Sequence, residues 1–201
     1  MKNWAFKFGL PNTKSIAMTL FLPFKVGKVS KYFLNLLFLI CVFMKTIFLI
    51  RHSEAEQESP YIKDYDRELT PKGFSMASLL GKDLQAQGFF PDIFLTSQAV
   101  RAYTTAQFIA EQLQFDTDRL QASKELYNAS VQKLLTAIHE IPDTAQKAIF
   151  VNHNMSLTFL LEYLTAKPFM LPPCGAVLLE FDVESWKEVN QAKGKVLWQK
   201  L

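Results

Sequence analysis

The chain has 201 residues, 49% of them hydrophobic and 20% charged, with a formal net charge of +3. That balance excludes a disordered or fibrous chain and leaves room for one domain with a substantial core. Two cysteines, Cys41 and Cys174, provide neither a disulfide framework nor metal-ligand spacing, which fits a reduced, cytoplasmic setting with both thiols as small apolar filler.

The charge is unevenly placed. Residues 1–43 hold six lysines and no acid, which leaves 16 basic against all 19 acidic residues on residues 44–201. The basic excess therefore belongs to the leader, and no nucleic-acid-binding face is expected on the body. The leader ends in "YFLNLLFLICVF", residues 32–43. As a helix these twelve residues would span about 18 Å against about 30 Å of hydrocarbon. Extension through Ile50 would bury Lys45 in lipid, and no small-residue cleavage site follows. The expected organisation is a leader over 1–43 outside the fold, a working start at Met44, and one domain over 44–201, without membrane attachment.

From Met44 onward, short apolar runs alternate with helical patterns. "TIFLI" (46–50) reads as a first strand. The stretch "LTPKGFSMASLLGKDLQAQG" follows as a helix, with Thr70 as N-cap, Pro71 at its first position and Gly88 at its end. "DIFLT" (92–96) is the second strand, and "AVRAYTTAQFIAEQLQ" a second helix with apolar residues at three- and four-residue spacing. "VQKLLTAIHEI" gives a third helix, "AIFVN" (148–152) a third strand and "MSLTFLLEYL" a fourth helix. "AVLLEFDV" (176–183) is a further strand, with "GKVLWQKL" as an edge strand paired to it. Phe89, Phe90, Phe94 and Phe108 are expected in the core, and His139 serves a helix C-terminus. The pattern predicts an α/β three-layer sandwich with a mainly parallel sheet.

In such sheets ligands bind beyond the carboxyl ends of the strands. The first strand delivers Arg51 and His52 there, the second leads to Arg101 near the start of a helix, and the third delivers His153. Two arginines and two histidines converging from three segments suit phosphoryl chemistry. Guanidinium groups grip phosphate oxygens, helix N-termini add backbone donors, and a positioned imidazole can attack phosphorus. The sequence has no glycine-rich phosphate loop and no cluster with metal-ligand spacing, so neither a nucleotide cofactor nor a metal is expected. Arg67 and Lys72 lie in a loop that is solvated or extends the positive rim.

Four motifs, "RHSEA", "LTPKG", "TSQAVRAYTTA" and "VNHN", resemble in order and spacing those of the histidine phosphatase superfamily, also called phosphoglycerate mutase-like. The resemblance covers roughly residues 45–200, and the short chain is most similar to SixA-type phosphohistidine phosphatases. It implies that His52 is the nucleophile that becomes phosphorylated, and that Arg51, Arg101 and His153 complete the phosphate pocket. Ser53 stands where the family usually has glycine.

The resemblance also implies a carboxylate acid from the segment between the second and third strands. Glu125, in "SKELYNASVQKLL", is the first candidate, with Glu54 and Glu56 behind it. SixA-type members lack a clear acid there, which a phosphoramidate tolerates because its imidazole leaving group carries its own proton. The expected activity is metal-free hydrolysis through a phosphohistidine intermediate, with protein phosphohistidine as the favoured substrate. The alternatives are a small phosphate ester (a sugar or isoprenoid phosphate), phosphoglycerate mutation, or a non-catalytic phospho-binding module.

Overall fold

The first strand, β1 (Met44–Arg51), runs through the middle of a six-stranded sheet, and its alternation explains why the run is apolar throughout. Ile47 and Leu49 enter one core and Phe48 and Ile50 the other, all fully buried. A strand covered on both faces has no polar side to display. Each such side chain contributes on the order of 1.5–3 kcal/mol by leaving water. The computed structural model describes residues 44–201, so the expectations for residues 1–43 lie outside the described residues.

Helix α1 (Pro71–Ala86) follows β1, then β2 (Ile93–Ser97) and α2 (Val100–Gln112). A short strand, β3 (Gln121–Ser123), precedes α3 (Val131–His139), and β4 (Lys147–Asn152) leads into α4 (Ser156–Thr165). The chain closes with β5 (Ala176–Asp182) and β6 (Lys195–Lys200). The sheet order is β3-β2-β4-β1-β5-β6. The first four strands in this order run parallel, and β5 and β6 are antiparallel to their neighbours. Leu80, Leu84, Ala106 and Ile109 of α1 and α2 cover one face, and Leu134, Ile138, Leu157 and Leu161 of α3 and α4 the other. This is the expected three-layer α/β fold with a mixed sheet.

Local expectations mostly hold. The Thr70 hydroxyl accepts from the Gly73 amide to cap α1, Pro71 opens the helix, and Gly88 takes φ +68° just past its end. Gly73 is required for another reason: a Cβ there would lie 2.0 Å from the Glu54 carbonyl oxygen. His139 donates from Nε2 to the Val189 carbonyl at 2.8 Å, a structural bond. Three readings need correction. Strand β3 was not expected, because three residues in a polar stretch leave no pattern. Phe90, expected in the core, is 54% exposed, while its neighbour Phe89 takes the buried position; Phe108, also expected there, is half-buried against Phe74. Among the described residues no helix is long and apolar enough to cross a membrane.

At the amino end of β1, Lys45 is fully buried and donates to the carbonyls of Asp143 and Ala145 at 2.6 and 3.0 Å. Burial lowers its pKa, against the charges of Asp143 and Asp92. The ammonium pins the strand end opposite the one that carries Arg51.

Candidate active site

Parallel pairing of β1 with β4 and of β4 with β2 brings their carboxyl ends to one edge, and the functional side chains collect there. His52 is gripped by its backbone: its amide donates to Asn152 and its carbonyl accepts from Cys174, at 2.9 and 3.0 Å. Ser53 fills the position where the resemblance implies glycine. It is fully buried, its amide donates to Thr105 Oγ1 at 3.0 Å and its hydroxyl to the Gly73 carbonyl at 2.7 Å. Thr105 also donates to the Arg101 carbonyl at 2.7 Å, which couples the "RHSEA" turn to α2.

The His52 tautomer follows from its partners. Nδ1 lies 2.7 Å from the Ser53 carbonyl, which can only accept, so Nδ1 carries the hydrogen. The Nε2 lone pair then points at Arg101, whose Nε donates to it at 3.2 Å. His153 lies beside it, with ring centroids 5.1 Å apart. Ser97 Oγ accepts from the Ala99 amide and lies 2.9 Å from His153 Nε2. His153 Nδ1 is buried and unpartnered, as is Arg51 Nε. Arg51 Nε, a donor in every protonation state, is left for an oxyanion to satisfy.

Both imidazoles are neutral near pH 7. Burial first, then the charges of Arg101, Arg51 and Arg67, lower His52 to about 4, against the raising effect of its bond to Ser53. Burial, then His52 and Arg101, lower His153 to about 3. A neutral His52 with a fixed Nδ1–H is a competent nucleophile at Nε2.

Arg51 donates from Nη1 to the Leu171 carbonyl at 2.8 Å and lines an open groove of about 1080 Å³ with Asn154, Phe169, Met170 and Trp198. The structure thus brings Arg51, His52, Arg101 and His153 to one edge.

It does not bring Glu125 there. That carboxylate is 69% exposed, pairs with Lys133, and lines a separate recess with Gln121 and Glu140. The segment that carries it does reach the histidines, but through Tyr127, whose ring packs edge-on against His153 with centroids 5.5 Å apart. Glu54 is bound to Thr70 and Lys72 at the start of α1, and the Glu56 carbonyl accepts from Arg67.

Sequence reasoning missed Asp64. Its Oδ2 meets Arg101 Nη2 at 2.9 Å and Tyr127 Oη at 2.6 Å, its Oδ1 meets Arg67 Nη2 at 2.8 Å, and its backbone carbonyl accepts from Arg101 Nη1. Burial pushes the Asp64 carboxyl up, but the bonds from Tyr127 and Arg101 outweigh it and hold the group below the ordinary carboxylate value. Arg67, left open as a rim or loop residue, belongs to this cluster. No signal in "DYDRELT" marks Asp64, because its partners lie 37 and 63 residues away.

The element order and mixed six-stranded sheet are those of the phosphoglycerate mutase-like fold, with Arg51, His52, Arg101 and His153 gathered beyond its parallel strands. The branch 1 model of the histidine phosphatase superfamily matches residues 47–128, a span that includes Arg51, His52 and Arg101. An uncharacterized chloroplastic protein of Arabidopsis thaliana is 23% identical over 77% of this chain and 75% of its own length. The fold is shared with SixA of Nakamurella multipartitia, described as a candidate phosphohistidine phosphatase. That structure has a TM-score of 0.67 and 20% identity, and the match covers 79% of this chain and 96% of that one. A structure of the protein histidine phosphatase SixA complexed with tungstate matches with a TM-score of 0.66 and 20% identity, over 77% and 95% of the two chains.

Proposed function

We propose that this protein is a phosphohistidine phosphatase that works through a covalent intermediate on His52. One observation carries the reading: the Nδ1–H of His52 is fixed on the Ser53 carbonyl, so its Nε2 lone pair is free of a proton and faces Arg101 Nε at 3.2 Å, with His153 beside it. A phosphoryl group entering there meets the Arg101 guanidinium, with Arg51 the residue before His52 at the same strand end. Nε2 attacks phosphorus, the bond to the leaving group breaks, and the electron pair departs with that group. Arg51, Arg101 and His153 hold the phosphoryl oxygens as charge shifts among them. Water then attacks phosphorus, its protons leave with inorganic phosphate, and His52 departs as a neutral imidazole still bound to Ser53. No step in this scheme calls for a metal or a cofactor.

The substrate preference follows from the carboxylates. Asp64 is ionised at neutral pH and Glu125 is engaged with Lys133, so neither has a proton to give an alkoxide. A phosphorylated imidazole protonated on its distal nitrogen departs neutral without help. The phosphohistidine of a protein is therefore the favoured substrate, in a cytoplasmic setting. A small phosphate ester with an apolar alcohol is the second reading, favoured by Phe169, Met170 and Trp198 in the groove beside Arg51.

The test is to trap the intermediate. Brief incubation with a labile phosphoryl donor should leave an acid-labile, base-stable phosphoryl group on His52, and His52→Asn should abolish both labelling and turnover. Turnover by that variant, or binding of phosphohistidine without release of phosphate, overturns the reading. A panel of histidine-phosphorylated proteins and phosphate esters then ranks the substrates. Activity lost to EDTA and restored by a divalent cation contradicts the metal-free scheme.

A further inference from the structure

The segment between β1 and α1 sets a carboxylate against the arginine that faces the nucleophile. Arg101 Nε lies 3.2 Å from His52 Nε2 and its Nη2 lies 2.9 Å from Asp64 Oδ2, so one guanidinium plane separates Asp64 from the nucleophile. The Asp64 side chain is 37% exposed, at the mouth of the site. We propose that Asp64 is a specificity-determining residue that selects nitrogen-linked phosphoryl groups by accepting the N–H on the distal nitrogen of the substrate's imidazole. This rests on the functional reading above.

A carboxylate offers about four lone-pair sites. Tyr127 and Arg101 occupy two on Oδ2, and Arg67 takes one on Oδ1, which leaves an acceptor free on Oδ1. The three donors lock the carboxylate in place and keep it ionised, so it can accept a hydrogen bond but cannot donate a proton. The rings of Tyr65 and Tyr127 pack edge to face with centroids 5.0 Å apart, and Tyr127 donates to the carboxylate.

The consequence depends on the leaving group. In a phosphorylated imidazole that carries a proton on its distal nitrogen, the ring is cationic. Asp64 stabilises that form, so when the phosphorus–nitrogen bond breaks, the electron pair returns to nitrogen and neutral imidazole leaves. Without the distal proton the ring would have to leave as an anion. A phosphate ester develops negative charge on its departing oxygen, which the same carboxylate opposes. One fixed negative charge therefore moves the two substrate classes in opposite directions.

The test compares Asp64→Asn with wild type on a histidine-phosphorylated peptide and on p-nitrophenyl phosphate, whose leaving group needs no acid. Asparagine keeps the size and an acceptor but loses the charge. The peptide kcat/KM should fall about 10- to 100-fold, the scale of one charge-assisted hydrogen bond. The aryl ester should fall by a smaller factor, because the variant also weakens the bracing of Arg101, so the peptide-to-ester ratio should drop. Tyr127→Phe, which frees Oδ2, should shift the ratio in the same direction by less and provides the measurement if Asp64→Asn does not fold. Equal losses on both substrates in either variant would mean that Asp64 only orients Arg101, and would overturn the proposal. An undiminished peptide rate in both variants would do the same. A wild-type protein that turns over the ester but not the peptide overturns the phosphohistidine reading itself. If wild type turns over the peptide and the ratio does not move, only the role of Asp64 falls.

Discussion

His52 and Arg101 face one another through Nε2 and Nε, 3.2 Å apart, although 49 residues separate them in the chain. A lysine at 101 would keep the charge but lose the directed Nε–H and the planar fork that also reaches Asp64. Arg101→Lys should therefore lower kcat/KM by about 10²–10³-fold, the cost of removing one preorganised donor to a developing oxyanion. Far-ultraviolet circular dichroism should be unchanged. Activity within threefold of wild type would show that charge alone suffices.

The depressed histidines predict a pH dependence of stability. Unfolded imidazoles titrate near 6.5, whereas His52 and His153 are lowered to about 4 and about 3 in the fold. Above pH 6.5 neither state binds the proton and no penalty arises. Below it the unfolded chain takes up protons that the native pocket refuses. Stability should fall from pH 6.5 toward 4, by at most about 1.4 kcal/mol per pH unit for each imidazole. Thermal melts across this range should show the slope, and His153→Gln should flatten it. Parallel curves for the two proteins would refute the link.

Gly73 tests the packing beneath the site. Because a Cβ would meet the Glu54 carbonyl at 2.0 Å, Gly73→Ala must push α1 away from the "RHSEA" turn. The cost should be about 2 kcal/mol or more. For a chain of this size that lowers Tm by about 4–8 °C. Ser53 donates to the Gly73 carbonyl, so turnover should fall as well. An unchanged melting temperature would count against the close approach.

Glu125→Gln should do little. Its pair with Lys133 is exposed, and solvent screening leaves such pairs little effect on stability. Activity on both phosphohistidine and an alkyl phosphate ester should stay within about threefold of wild type, since general-acid loss would cost about 10²–10⁴-fold on the ester. A large loss confined to the alkyl ester would restore Glu125 as the acid.

The sequence by itself determined the elements that rest on local rules. The Thr70–Pro71 start of α1, the apolar strands β1, β2 and β4, and the pairing of residues 176–183 with the last strand follow from capping, periodicity and burial on two faces, all readable within a few residues. The strand-end positions of Arg51, His52 and His153 follow too, because a parallel sheet gathers its strand ends at one edge. Only the tertiary structure decided which polar groups meet there. The tautomer of His52 depends on where the Ser53 carbonyl points, and the place of Asp64 depends on contacts with Arg101 and Tyr127 across 37 and 63 residues. Glu125 and Tyr127 lie two positions apart, yet one turns to Lys133 on the surface and the other toward His153. The 3-10 turn at Lys124–Leu126 sets those directions, and no hydrophobic period runs through so short a polar segment to reveal them. Periodicity reports which face of an element is buried; the partner of a single charged or aromatic side chain is set by the packing of whole elements.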